Sequence, residues 1–191
     1  ALKYFSDSLE MNRQIHGEAP HPDVVVSLYE IGNIFWAKGD YNRALKYFTD
    51  SLDIYRQIYG DAPHPHVAVS LHELGNIYRS KGDYIRALKY FTDSLEMKRQ
   101  IHGDAPHPEV AVSLHELGNI YRSKGDYIRA LKYFTDSLEM KRQIHGDAPH
   151  PEVAVSLHEL GIVYNAKGDY NRALKYFSDS LEIYKQIHGD A

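Results

Sequence analysis

The chain has 191 residues, 43% of them hydrophobic, and its 22 basic and 26 acidic side chains leave a formal charge of −4. Charges of both signs are mixed along its whole length, so nothing drives it electrostatically toward nucleic acid or an anionic membrane, and neither is expected as a partner. There is no cysteine and no long apolar run or signal-like start, which makes a cytoplasmic setting the default expectation.

Residues 1–20 read as the second half of a unit, helix B only, and full copies follow at 21–63, 64–106, 107–149 and 150–191. The register comes from Gly39-Asp40-Tyr41, Gly82-Asp83-Tyr84, Gly125-Asp126-Tyr127 and Gly168-Asp169-Tyr170, which recur at a constant step of 43 residues. The second and third copies differ at a single place, where His66 becomes Glu109. Such units are held mainly by their neighbours, so one elongated array over residues 1–191 is expected. A start in mid-unit without an initiator Met is what a piece of a longer array, natural or consensus-built, would show.

Each copy predicts two helices, most easily followed in the third. Val110, Leu114, Leu117 and Tyr121 fall on one stripe of a helix A. Pro108 suits its first turn, Glu109 favours its positive end, and Lys124-Gly125 supplies a stop. Asp126 is placed to cap helix B, whose first stripe is Tyr127, Leu131, Phe134 and Leu138. A second stripe, Tyr133, Met140 and Ile144, runs along another side, and stacking on the next helix A is expected to bury it. Gly146 ends helix B, and Asp147-Ala148-Pro149-His150-Pro151 makes a stiff turn into the next copy.

Gly118 lies inside helix A, where it costs about 1 kcal/mol relative to Ala. A close approach to the methyl of Ala130 on helix B is the expected reason, repeated as Gly32/Ala44, Gly75/Ala87 and Gly161/Ala173. One hairpin buries too little to offset the ordering of its own chain, so stability is expected to grow with copy number.

The second copy carries Leu71, Leu74-Gly75, Tyr78, Gly82, Tyr84, Ala87, Phe91 and Ser94-Leu95 in order. This resembles the tetratricopeptide repeat, with Ser94 the one departure, a small residue in place of Ala. The unit exceeds the usual length in helix B and the following turn, which is similar to the long repeats of kinesin light chains. The resemblance implies an all-α fold, a right-handed superhelical solenoid of antiparallel helix hairpins, acting as a protein–protein interaction scaffold. It further implies a concave groove lined by the A helices that takes a peptide or partner segment.

Positions off the packing stripe of helix A are then the candidate binding residues. They are Tyr29, Asn33 and Trp36 in the first copy, His72, Asn76 and Arg79 in the second, His115, Asn119 and Arg122 in the third, and His158 and Asn165 in the fourth. Asn33, Asn76 and Asn119 form a ladder suited to a peptide main chain, and Tyr29 and Trp36 an aromatic anchor. The Lys that a chaperone-tail carboxylate clamp needs is replaced by Tyr29, His72, His115 and His158, so that partner is not expected. The last three, if titrating near pH 6.5, would make binding pH-sensitive.

No metal or other cofactor is expected: the loop pairs His102/His107 and His145/His150 bracket a turn, with no third ligand at a fixed helical spacing. No nucleophile elbow or phosphate loop is present, and Ser70 and His72 sit on different sides of a helix, so the chain reads as a non-enzyme. Two alternatives stay open. One is end-mediated homo-association, through Tyr176, Ile183 and Ile187 on the last helix B; the other is a role as the regulatory arm of a larger protein.

Overall fold

In the computed structural model, residues 1–189 are described, and they form nine helices and no strand. The B helices are α1 (Leu2–His16), α3 (Tyr41–Tyr59), α5 (Tyr84–His102), α7 (Tyr127–His145) and α9 (Tyr170–His188). The A helices are α2 (Pro22–Ala37), α4 (Pro65–Ser80), α6 (Pro108–Ser123) and α8 (Pro151–Ala166). They group into two compact units, Ala1–Ile101 and a second that begins at His102.

The helix ends follow from side chains that replace missing backbone partners. Asp126 Oδ1 accepts from the Arg129 amide at 3.1 Å, capping α7. At the other end of the A-to-B turn, Gly125 takes a φ of 75°, a conformation that costs glycine least. This lets the Asp126 amide reach back to Tyr121 O at 2.9 Å. Each A helix starts from a histidine: Nδ1 of His107 accepts from the Glu109 amide at 3.3 Å, and His21, His64 and His150 act alike.

Within a hairpin, the expectation of close approach holds but its reason changes. A Cβ built on Gly118 would stand 2.8 Å from the ring of Phe134, and on Gly75 2.8 Å from that of Phe91. The atoms that stand nearest the bare Cα thus belong to an aromatic ring and not to Ala130. Phe48, Phe91 and Phe134 are fully buried as a result. The Ser that departs from the family pattern bonds across the same contact. Ser94, Ser137 and Ser180 donate at 2.8 Å to the carbonyls of Ala68, Ala111 and Ala154 on their own helix A. In the first hairpin Val25 stands where those alanines are, and Ser51 Oγ is buried without a partner.

The two stripes of helix B divide between their neighbours differently from expectation. Tyr133 stacks on Tyr121 of its own hairpin at 5.4 Å, whereas Leu138 joins the core with Leu157 and Leu160 of α8. The last helix shows the same division: Tyr176 stays half-buried on Tyr164, while Leu174 and Leu181 are 65% and 56% exposed. Leu138, at the position of Leu181, is only 5% exposed. Stacking therefore covers Leu138 of the first stripe, while Phe134 of that stripe and Tyr133 of the second pack within their own hairpin.

The helix-on-ring contact makes a defined prediction. Gly118→Ala should lower stability by up to about 2 kcal/mol, because overpacking costs about 1–3 kcal/mol against about 1 kcal/mol gained in helix propensity. Urea unfolding followed by circular dichroism measures it, and Gly118→Ala combined with Phe134→Leu should recover most of the loss.

Candidate functional site

The outward positions of the A helices come together as neighbours within each unit. In the first unit, Val26, Tyr29 and Glu30 of α2 face Val69 and Ser70 of α4 across a cleft of about 240 Å³, closed at the side by Tyr55 and His66. In the second, the guanidinium of Arg122 on α6 pairs with the carboxylate of Glu159 on α8. Apolar surface recurs beside them: Val26, Val112 and Val155 are each at least 40% exposed.

The asparagine ladder is already engaged. Asn76 donates to Glu73 at 3.3 Å and accepts from Arg79 at 3.2 Å. Asn119 lies between Glu116 and Arg122 in the same way. Each amide keeps one N–H and one lone pair beyond these bonds. Glu, Asn and Arg thus form a bonded strip along the helix, and the i, i+3 spacing that creates it was legible in the sequence. Asn33 is half-buried, Asn165 exposed, and Trp36 44% exposed.

The aromatic positions divide differently from expectation. Tyr29 packs edge-on against Phe48 with centroids 5.1 Å apart. Burial, then Glu73 and Glu30, push its pKa up to about 12. His72 and His115 pack edge-on against Phe91 and Phe134 at 5.2 Å. Only His158, tilted over Phe177, is exposed. These side chains sit three residues before the glycine that receives the same ring, so they complete the hairpin core as well as facing outward.

For His72 this overturns the pH-sensor reading. Burial, followed by repulsion from Lys98 and Arg79, lowers its pKa from 6.5 to about 4, and its Nδ1 has no hydrogen-bond partner. The ring therefore stays neutral between pH 5.5 and 7.5.

Sequence reasoning missed two features. Lys98 and Lys141 are only 4% and 5% exposed on helix B. Lys141 donates to Ser156 at 2.9 Å; burial lowers its pKa, partly opposed by Glu152, Glu116 and Glu159. The signal was Tyr55, which holds the same position in the first full copy. The second is the third donor at the turns: Asp23, Glu109 and Glu152 each lie beside a histidine pair. The acid sits two residues past the capping histidine, across the turn from the first histidine, and so shares no single-helix spacing with the pair.

A tetratricopeptide repeat profile matches residues 1–57, 23–100, 66–143 and 109–186. The chain belongs to the tetratricopeptide repeat family. Members of this family are generally non-catalytic scaffolds for protein–protein interaction. Among solved structures, BtubC (BKLC) from P. vanneervenii superposes with a TM-score of 0.86 at 21% identity, over 98% of this chain and 73% of its own. A putative kinesin light chain of Podosopora anserina with nearly identical TPR-like repeats gives 0.83 at 20% identity, over 99% of this chain and 88% of its own. The apo form of RapI gives 0.81 at 18% identity, over 99% of this chain and 49% of its own. These likenesses are of fold, an all-α tetratricopeptide repeat solenoid that includes kinesin-light-chain-like arrays. No curated protein matches the sequence. No described helix is long and apolar enough to cross a membrane.

A buried neutral histidine makes stability depend on pH. Below pH 6.5 the unfolded chain takes up a proton at His72 that the folded chain refuses until about pH 4, so stability is lost progressively as pH falls through that window and the site is without effect above it. The contribution is about 3 kcal/mol at most. His72→Tyr, which installs the residue the first copy carries there, should flatten the dependence: the parent loses more unfolding free energy than the variant between pH 7 and 4.5 in urea titrations.

Proposed function

We propose that the A-helix faces of this tetratricopeptide repeat protein bind an extended or helical segment of a partner protein. The cleft between α2 and α4 carries the reading, because it joins an apolar floor, Val26 and Val69, to an aromatic wall, Tyr29, and to carboxylate and hydroxyl groups at its rim. An apolar pocket with few polar groups is the usual form of a peptide anchor site. The bonded strip of Asn76 adds main-chain hydrogen-bonding capacity on α4, and that of Asn119 offers the same on α6 of the second unit. The candidate side chains Asn33, Trp36 and Arg79 of the first unit, and His115, Arg122, His158 and Asn165 of the second, belong to the same reading as contacts on their own A-helix faces. A scaffold without catalytic chemistry, working in the cytosol, is the role assigned.

The test is a peptide selected from a random library against the intact chain. Tyr29→Ala or Val69→Asp should weaken it at least tenfold with helical circular dichroism unchanged. Asn76→Ala with Asn119→Ala should weaken it less, since part of each amide is spent within its helix. Unchanged affinity in the Tyr29 and Val69 variants places the peptide elsewhere and removes the groove reading.

A second reading, homo-association through a helix end, rests on α9, where Tyr170, Leu174 and Leu181 form an exposed apolar stripe. Tyr176, Ile183 and Ile187, expected to fill this role, are half-buried instead. If α9 mediates association, sedimentation velocity should show mass rising with concentration, and Leu174→Glu with Leu181→Glu should hold the chain monomeric throughout.

A further inference from the structure

Three turns between a B helix and the following A helix collect the same donor set: His16, His21 and Asp23; His102, His107 and Glu109; His145, His150 and Glu152. In each, one ligand atom per residue lies within 4.8 Å of the other two. His16 Nε2 and His21 Nδ1 stand 3.4 and 3.5 Å from Asp23 Oδ2. His102 Nε2 is 3.5 Å from Glu109 Oε2, and His145 Nε2 3.1 Å from Glu152 Oε2. Two ligands on one tetrahedral ion at about 2.0–2.1 Å sit about 3.3 Å apart, so these histidine–carboxylate pairs already stand near the separation that a shared ion requires, and the two histidine nitrogens lie within 4.8 Å of each other. His102 Nε2 is moreover buried with no hydrogen bond.

The fourth turn separates a polar role of the triad, as ion pair or metal site, from a ring-packing role. The two histidine rings of each triad stack at 3.4 Å, and packing alone would explain a ring at both places. At the odd turn Tyr59 replaces the first histidine and still stacks on His64 at 3.4 Å. The acid has gone with it, replaced by His66, whose ring lies 5.0 Å from that of Tyr55. The carboxylate is thus present where the first ring offers nitrogen and absent where it does not. Its identity is otherwise free, Asp in the first triad and Glu in the others, as a ligand position allows and a copied surface residue would not require.

We propose that the three turns are binding sites for a borderline divalent transition-metal ion such as Zn²⁺, each built from two imidazoles and one carboxylate. Nitrogen and oxygen donors without thiolate suit Zn²⁺, Co²⁺, Ni²⁺ or Cu²⁺, and water completes the coordination at these partly exposed sites. The capping histidine binds through Nδ1 and keeps its proton on Nε2. It gives up the bond from the backbone amide two residues on, 3.2 Å long at His21, and turns out of the stack. Between α1 and α2, and again between α7 and α8, the ion ties the end of one repeat to the start of the next. This inference is independent of the peptide groove.

The experiment uses the intact, tag-free chain and ZnCl₂ in isothermal titration calorimetry, with Cu²⁺ and electron paramagnetic resonance to identify nitrogen ligands. Three ions per chain are expected. Exchanging one turn for the natural odd one, His102→Tyr with Glu109→His, should reduce this to two without loss of helical signal. The reverse exchange, Tyr59→His with His66→Glu, should raise it to four. Glu109→Gln alone should weaken one site at least tenfold. No saturable binding, or a stoichiometry that ignores all three changes, overturns the proposal and leaves the triads as packing stacks.

Discussion

The contact between a bare Cα on each A helix and a phenylalanine ring on its B helix fixes everything else in a hairpin. Because the ring of Phe134 fills the space a Cβ would occupy on Gly118, the two helices approach closely enough for Ser137 to reach the Ala111 carbonyl. The same ring is flanked by His115, so the outward face of helix A is set by what lies beneath it. Close approach thus links a helix-breaking residue, a buried hydroxyl and a surface histidine in one register, and the period copies all three together.

Much of this was legible in the chain itself. Gly-Asp-Tyr punctuation, Pro at the first helical turn and the stripes of apolar residues located every helix, because each is a local signal of backbone chemistry. What failed was any inference about which partner a side chain meets. Ala130 and Phe134 are both on the inner side of helix B, and spacing alone does not say which of them reaches Gly118. Tyr133 and Leu138 changed neighbouring helices for the same reason. His72 carries no sign of burial in its own sequence neighbourhood; Phe91 and Lys98, far along the chain, decide its charge. At the candidate site, the residues on the A-helix face were identifiable from periodicity, but Tyr55 and His66, which close the cleft, come from a B helix and from the first turn of α4.

The outward face is also less passive than a row of unpaired polar groups. Glu73, Asn76 and Arg79 restrain one another through hydrogen bonds along α4, and in the second unit Arg122 spans from α6 to α8. Side chains held in this way lose less freedom when a partner docks, which favours specificity over breadth. Lys141 works from the other side: its buried ammonium group joins Ser156 and lies within the field of three carboxylates, so the charge pattern of the face is tied to the joint between repeats.

The unpartnered Ser51 gives the near-copies an order. Where Ala68, Ala111 and Ala154 each receive a hydroxyl, Val25 does not, and a buried oxygen left without a bond weakens α2–α3 relative to α6–α7. In an array of otherwise matching units, the poorest joint is where cooperative opening begins. Amide protons of α2 and α3 would then exchange with solvent ahead of those of α6 and α7, giving a molecule of repeated parts a defined direction in which to unravel.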